Sequence, residues 1–322
     1  MAGCAPKDPR AGAELPGVVP AAEYELIQEP DATYGPLISR ISAAAKSVKM
    51  SMYELVSPAA VNALIAAHLS GVDTKVLLDS AFHGRETNTR AFNMLQAAGV
   101  DARWAPADLI WHEKAIITDG SSVAVGTGNL SGRRYEATSR DFWVIDSNPA
   151  DVAAITETFD ADFGVGNVDR VPRGVAAPRL IWSPDARQSF LKVIAGTHKT
   201  LSIESEEFKD SAVAAAAAAA AGRGVQCRVV LNEDQASTPA VDKARAGGCT
   251  VRIVPTSKDG LYMHAKVVLA DDQIVLGSQN LAPASLLDNR ELSLMLDGAT
   301  APALIASVQH TFDTDFGAAS AS

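Results

Sequence analysis

Two short segments hold most of the chemistry this chain could perform. In the first, His112-Glu113-Lys114 is followed by Asp119 and then by Gly126-Thr127-Gly128-Asn129. In the second, His264-Ala265-Lys266 is followed by Asp271 and then by Gly277-Ser278-Gln279-Asn280. Side chains two apart in an extended backbone share a face. Each segment therefore offers an imidazole beside an ammonium, with Glu113 and Ala265 turned the other way. Asn129, Asn280 and Ser278 add neutral hydrogen-bond donors, and Thr127 keeps a hydroxyl at the equivalent place. Two His, two Lys and two Asn in one pocket would suit a phosphoryl group, whose transition-state charge spreads over its oxygens. Paired imidazoles also divide the proton transfers. One, neutral, attacks phosphorus; the other, protonated, donates to the leaving oxygen and later takes a proton from water. Histidine titrates near neutrality, so both states are accessible.

For these segments to meet, the chain must place them symmetrically, and it repeats itself in the required way. Ser51-Met-Tyr-Glu-Leu55, followed by an apolar helical stretch and Gly71-Val-Asp-Thr-Lys-Val-Leu-Leu-Asp79, is answered by Ser202-Ile-Glu-Ser-Glu206, an alanine-rich stretch and Gly224-Val-Gln-Cys-Arg-Val-Val-Leu-Asn232. Thr158-Phe-Asp-Ala-Asp-Phe163 is answered by Thr311-Phe-Asp-Thr-Asp-Phe316. Such ordered recurrence at a spacing of about 150 residues marks a duplication. Short β-branched runs alternating with helical patterns predict two α/β halves related by a pseudo-two-fold. Each half reads as strand, helix, strand, helix, strand, a strand pair and a closing helix, giving mixed but mostly parallel sheets flanked by helices. The expected boundaries are an N-terminal tether over 1–22, a first half over 23–165, a linker over 166–178 and a second half over 179–318. The alanine run 214–221 is read as plain helix, since alanine is the best helix former and packs closely. Strand spacing puts Asp119 and Asp271 in the turn after each His/Lys strand.

The two extended copies of His-x-Lys with a following Asp, each trailed by a Gly-(Ser/Thr)-x-Asn segment, resemble the paired motifs of the phospholipase D superfamily. The resemblance covers nearly the whole chain and departs from the pattern at Thr127-Gly128. It implies a metal-independent phosphodiesterase that needs no cofactor and forms a phosphohistidine, with His112 as nucleophile and His264 as general acid and base. It implies that Asp119 and Asp271 support the fold more than the chemistry. It also assigns Asp141 and Glu291, which follow Arg140 and Arg290, to hydrogen-bond a motif histidine; the alternative is a salt-bridged strand residue. Trp111 and Tyr262, just before the motifs, are candidates for lining the pocket mouth, with core packing as the alternative. Arg133 and Arg134 are candidates for an anionic substrate, whereas His68 reads as a helix-face residue and His83, His198 and His310 as surface positions.

Composition narrows the substrate. The net charge of −10 argues against a nucleic acid, which is usually met by a basic surface. A phospholipid headgroup or another phosphodiester is the expected substrate and a nuclease the runner-up. Cardiolipin-synthase-like phosphatidyl transfer and a catalytically silent binding protein rank lower. The chain is expected to act as a monomer. Met1-Ala-Gly-Cys4 resembles the end of a bacterial lipoprotein signal, so Cys4 is a candidate for lipidation. The expected location is then the cell envelope, with membrane-surface association and the cytoplasm as the alternative. Cys227 and Cys249 could pair in an exported protein; two buried free thiols is the reading the sequence favours. No Cys/His cluster suggests a metal site.

Overall fold

The computed structural model describes residues 18–19, 23–164 and 177–321. The tether and linker expectations, and Cys4, therefore fall mostly outside the described residues. Among the described residues there are two sheets, of nine and eight strands, one built on each half.

In the first half, Ser47–Met52 lies inside the sheet, parallel to Asp73–Leu78 on one side and antiparallel to Lys114–Thr118 on the other. Ser122–Gly126, Ser139–Asp146 and Tyr24–Glu29 follow outward, each antiparallel to its neighbour. The second half repeats this order with Thr200–Ser205 at the centre, parallel to Gln226–Asn232 and antiparallel to Lys266–Ala270. The duplication and the mixed sheets thus match expectation, but antiparallel ladders outnumber parallel ones. Parallel pairing is confined to strands linked by helical crossovers, such as Pro58–Leu69 and Ser211–Gly222, and to one strand borrowed from the other half. Past the motif strands the chain turns tightly, and tight turns yield antiparallel neighbours. Each half also has one more leading strand and helix than expected, Tyr24–Glu29 with Gly35–Ala43 and Leu180–Ser183 with Arg187–Ala195.

Both faces of each sheet are covered, which explains strands that read as continuous apolar runs. Along Lys114–Thr118, Ala115 and Ile117 face a central core while Ile116 faces the outer helices. Val267 and Leu269 against Val268 and Ala270 repeat the alternation. The central core joins both halves and includes the closing helices Pro149–Gly164 and Pro302–Ala318. The alanine helix Ser211–Gly222 is capped by Asp210, whose carboxylate accepts from the amides of Ala212 and Val213, both at 2.9 Å. Its small side chains permit close packing: a Cβ on Gly247 would sit 2.2 Å from the Cβ of Ala218.

Cys227 and Cys249 form a disulfide, against the expectation of free thiols. Parallel pairing of their strands, with Arg228 opposite Thr250, brings the two preceding residues side by side. Sequence alone does not give this register.

Candidate active site

The turn after each motif strand is fixed by its aspartate. Asp119 and Asp271 adopt φ of 55° and 54°, left-handed values that Asp tolerates better than most residues. The Asp119 carboxylate accepts from the amides of Ala45, Lys46 and Ser47 at 2.7–3.0 Å. Asp271 accepts from those of His198, Lys199 and Thr200 at 2.8–2.9 Å. These bonds outweigh the opposing effect of burial and hold both carboxyls below the usual range. Each turn is thereby tied to the start of the strand that pairs with the motif strand, which sets the register of the motif strand.

The histidines do not sit within those strands, which begin at Lys114 and Lys266. The residues just ahead leave their own sheet and pair with the other half. Tyr262–Met263 runs parallel to Ser139–Arg140, and Trp111 bridges to Arg290. The amide of His112 donates to the Arg290 carbonyl at 3.0 Å. Crossing in this way carries each histidine to the acid of the opposite half. Nδ1 of His112 lies 2.9 Å from Oε2 of Glu291, and Nδ1 of His264 lies 2.9 Å from Oδ1 of Asp141. The same strands are braced from behind: Arg140 donates to Asp315 at 2.6 Å and Arg290 to Asp162 at 2.6 Å. Those aspartates belong to the repeated Thr-Phe-Asp-x-Asp-Phe segments, so the repeat marks a cross-half ion pair.

With Nδ1 committed to a carboxylate, Nε2 of each ring is left for chemistry. Burial pushes His112 below its ordinary value, with Lys114 and Lys266 adding to the shift and Glu291 opposing it. That ring is accordingly neutral near pH 7, the state a nucleophile requires. His264 differs: Nε2 faces Glu206 at 3.3 Å while Nδ1 faces Asp141. The Lys266 ammonium also lies 3.0 Å from that Nε2, so the ring stands between a carboxylate and a cation. Lys114 is fully enclosed, donates to the His112 carbonyl at 2.6 Å and lies 4.9 Å from the Tyr53 ring centroid. Burial, with Lys266 nearby, lowers it to about 7. Lys266 contacts Glu206 at 2.9 Å. The side-chain oxygens of Asn129 and Asn280 are buried without a protein partner, and the Asn280 amide nitrogen donates to Glu206 at 3.2 Å.

Several expected positions are corrected. Thr127 is fully buried; it donates to Asp141 at 2.6 Å and accepts from the Phe142 amide, so it steadies the acid instead of meeting substrate. Gly128 beside it has no room for a side chain, because a Cβ would lie 2.7 Å from the Asp141 carboxyl carbon. The Ser278 hydroxyl is likewise buried and accepts from the Leu292 amide, while its carbonyl faces His112 Nδ1 at 3.1 Å. Trp111 is enclosed in the central core and donates to Ser51 at 2.6 Å, leaving it nothing to line. Tyr262 does stand at the mouth, 39% exposed, with its hydroxyl donating to Glu206 at 2.8 Å. Tyr135 and Tyr262 pack against His264 and help line a cleft of about 510 Å³ that also takes in Arg134, Asp234 and Leu261. Arg133 begins the short helix Arg133–Thr138. His83, expected as a plain surface residue, meets Glu54 at 2.9 Å and packs edge-on against Tyr53, which itself packs on His112.

Sequence reasoning missed Glu206. Its signal was a break in the repeat: the bridges Leu55–Leu130 and Phe208–Leu281 are equivalent, so Glu206 stands where the first half has Tyr53. Aligning Ser51 with Ser202 conceals this by two residues, because Ser51, opposite Ala115, corresponds to Glu204, opposite Val267.

The family described as "Cardiolipin synthase, PLD-like domain" matches twice, over residues 37–163 and 190–316, each span carrying one motif. The chain belongs to the phospholipase D superfamily. Comparison with curated proteins gives no match. Among solved structures it resembles phosphatidylserine synthase from Haemophilus influenzae Rd KW20 (TM-score 0.66, 13% identity), over 92% of this chain and 87% of that one. It also resembles polyphosphate kinase from Porphyromonas gingivalis (TM-score 0.66, 17% identity), over 91% of this chain. The chain spans 50% of that kinase's length. A phospholipase D family member, Nuc from Salmonella typhimurium, matches over 46% of this chain and 98% of its own at 25% identity and a TM-score of 0.41. At this identity the first two likenesses show the fold alone.

Proposed function

We propose that this protein hydrolyses a phosphodiester, with a phospholipid headgroup as the preferred substrate, through a covalent phosphohistidine. The crossed histidine–carboxylate pairs carry the reading, because each half is incomplete without the acid of the other. His112 Nε2 attacks phosphorus, and the bond to the leaving oxygen breaks as that oxygen takes the proton from His264 Nε2. His264 then removes a proton from water, which attacks phosphorus and breaks the P–N bond, releasing a phosphomonoester and restoring both rings. Lys114, Lys266, Asn129 and Asn280 stabilise the charge on the phosphoryl oxygens. Transfer to an alcohol instead of water follows the same first step.

The net charge of −10 and a cleft walled partly by Leu261, Tyr135 and Tyr262 support a lipid over a nucleic acid. The Cys227–Cys249 disulfide supports a location outside the reducing cytosol, in keeping with lipidation at Cys4. Purified protein in EDTA is assayed in parallel on phosphatidylcholine vesicles, with and without added alcohol, and on single-stranded DNA, with His112→Ala and His264→Ala as controls. Choline release that persists in EDTA and vanishes in both variants is expected. DNA cleavage without choline release would overturn the substrate, and activity retained in either variant would overturn the mechanism.

A further inference from the structure

The donors that would grip a phosphoryl group in the second half are already occupied. The carboxylate of Glu206 receives Lys266 Nζ at 2.9 Å, Asn280 Nδ2 at 3.2 Å and the Tyr262 hydroxyl at 2.8 Å, and faces His264 Nε2 at 3.3 Å. Three of these four partners are motif residues. Burial alone would raise this carboxyl, but His264 and Lys266, with the bonds donated to it, hold it well below its usual range. It is therefore an anion throughout the neutral range. The first half has no counterpart: Tyr53 occupies the equivalent place and turns its ring toward His112 and Lys114.

The charge balance follows from this asymmetry. Lys114 and Lys266 share the pocket with three carboxylates, Glu206 on Lys266 and Glu291 and Asp141 on the two histidines, with Glu54 at the rim held by Ser131 and His83. Asp141 and Glu291 are committed to Nδ1 of the two histidines and braced by neighbouring side chains. Among the described residues, Glu206 is the carboxylate that engages Lys266, Asn280 and the Nε2 side of His264, the donors an incoming phosphoryl group would need. A phosphodiester bears one negative charge and a phosphomonoester near pH 7.5 bears close to two. Each added charge must displace Glu206 and then coexist with it nearby.

We propose that Glu206 is a resident competitor for the phosphoryl subsite, a specificity-determining residue that lets the pocket admit monoanionic diesters and expel dianionic monoesters, including the product of its own reaction. This rests on the hydrolase reading above and adds to it a preference set by charge. The carboxylate swings aside when a diester enters, and returns to Lys266, Asn280 and Tyr262 once the monoester is formed.

Binding, measured without turnover, tests this. Wild-type protein and the isosteric variant Glu206→Gln are titrated calorimetrically at pH 7.5 with inorganic phosphate and, separately, with dimethyl phosphate; thermal melts confirm that each is folded. Removing the charge should tighten phosphate binding by about tenfold or more relative to dimethyl phosphate. Glu206→Ala should shift the ratio in the same direction and takes over the test if the glutamine variant does not fold. An unchanged phosphate-to-dimethyl-phosphate ratio in the folded variant, or a ratio that moves the other way, overturns the proposal. Failure of hydrolysis in the vesicle and DNA assays would instead remove the hydrolase reading and leave these binding ratios as measured.

Discussion

Replacing Glu291 with glutamine probes whether the two halves share one catalytic apparatus. Glu291 belongs to the second half, yet its carboxylate lies 2.9 Å from Nδ1 of His112 in the first, and Asn289 steadies its other oxygen at 3.0 Å. In the proposed mechanism, attack of His112 on phosphorus turns a neutral ring into a cationic phosphoimidazolium, so the carboxylate matters most as the transition state forms. For charge centres about 4 Å apart at an effective dielectric of about 20, the lost attraction is about 4 kcal/mol. That corresponds to a loss of about a thousandfold in kcat. KM should change little, because the ground-state ring carries no charge for the carboxylate to meet. Release of p-nitrophenolate from bis(p-nitrophenyl) phosphate gives the rates, and a thermal melt checks the fold. Glu291→Asp keeps the charge and should recover part of the rate. A folded Glu291→Gln variant that loses less than about tenfold in kcat would refute the cross-half role.

Other outcomes follow from the same geometry. The kcat/KM profile should be bell-shaped, with its acid limb below the ordinary histidine value of 6.5 from His112 and its alkaline limb near 7 from Lys114; a flat profile from pH 5 to 9 would contradict this. Because the lysine is depressed from 10.5 to about 7 in the folded state, the unfolded chain binds more protons between those values. Its contribution therefore makes stability rise with pH across that window, which urea unfolding at several pH values will show. Arg140→Met strands Asp315 in the interior and should cost about 3–5 kcal/mol in urea unfolding; a loss under about 1 kcal/mol would mean that the brace is idle. The Cys227→Ser/Cys249→Ser pair opens a loop of 22 residues and should lower stability by about 3 kcal/mol. It should leave kcat nearly unchanged, since those cysteines lie at the end of their strands away from Asn232 and the site.

Much of this protein is written in its local chemistry. The repeat, the His-x-Lys pairs and the turn aspartates are legible because each depends on residues close in sequence: a turn needs an acid that tolerates a left-handed backbone, and a motif strand needs alternating apolar side chains. Helical crossovers and hairpins were legible for the same reason, although the alternating pattern does not say which strands pair, and the balance of parallel and antiparallel ladders was misjudged. Tertiary structure decided what depends on long-range partners. Asp141 and Glu291 were recognisable as histidine partners, but only the exchange of strands between halves shows that each serves the other half. Trp111, Thr127 and Ser278 have pocket-like side chains and sequence positions, and packing turned all three inward. Glu206 acquires meaning only when the fold sets it among Lys266, Asn280, Tyr262 and His264, because no local pattern distinguishes a carboxylate on a solvated loop from one enclosed among motif side chains.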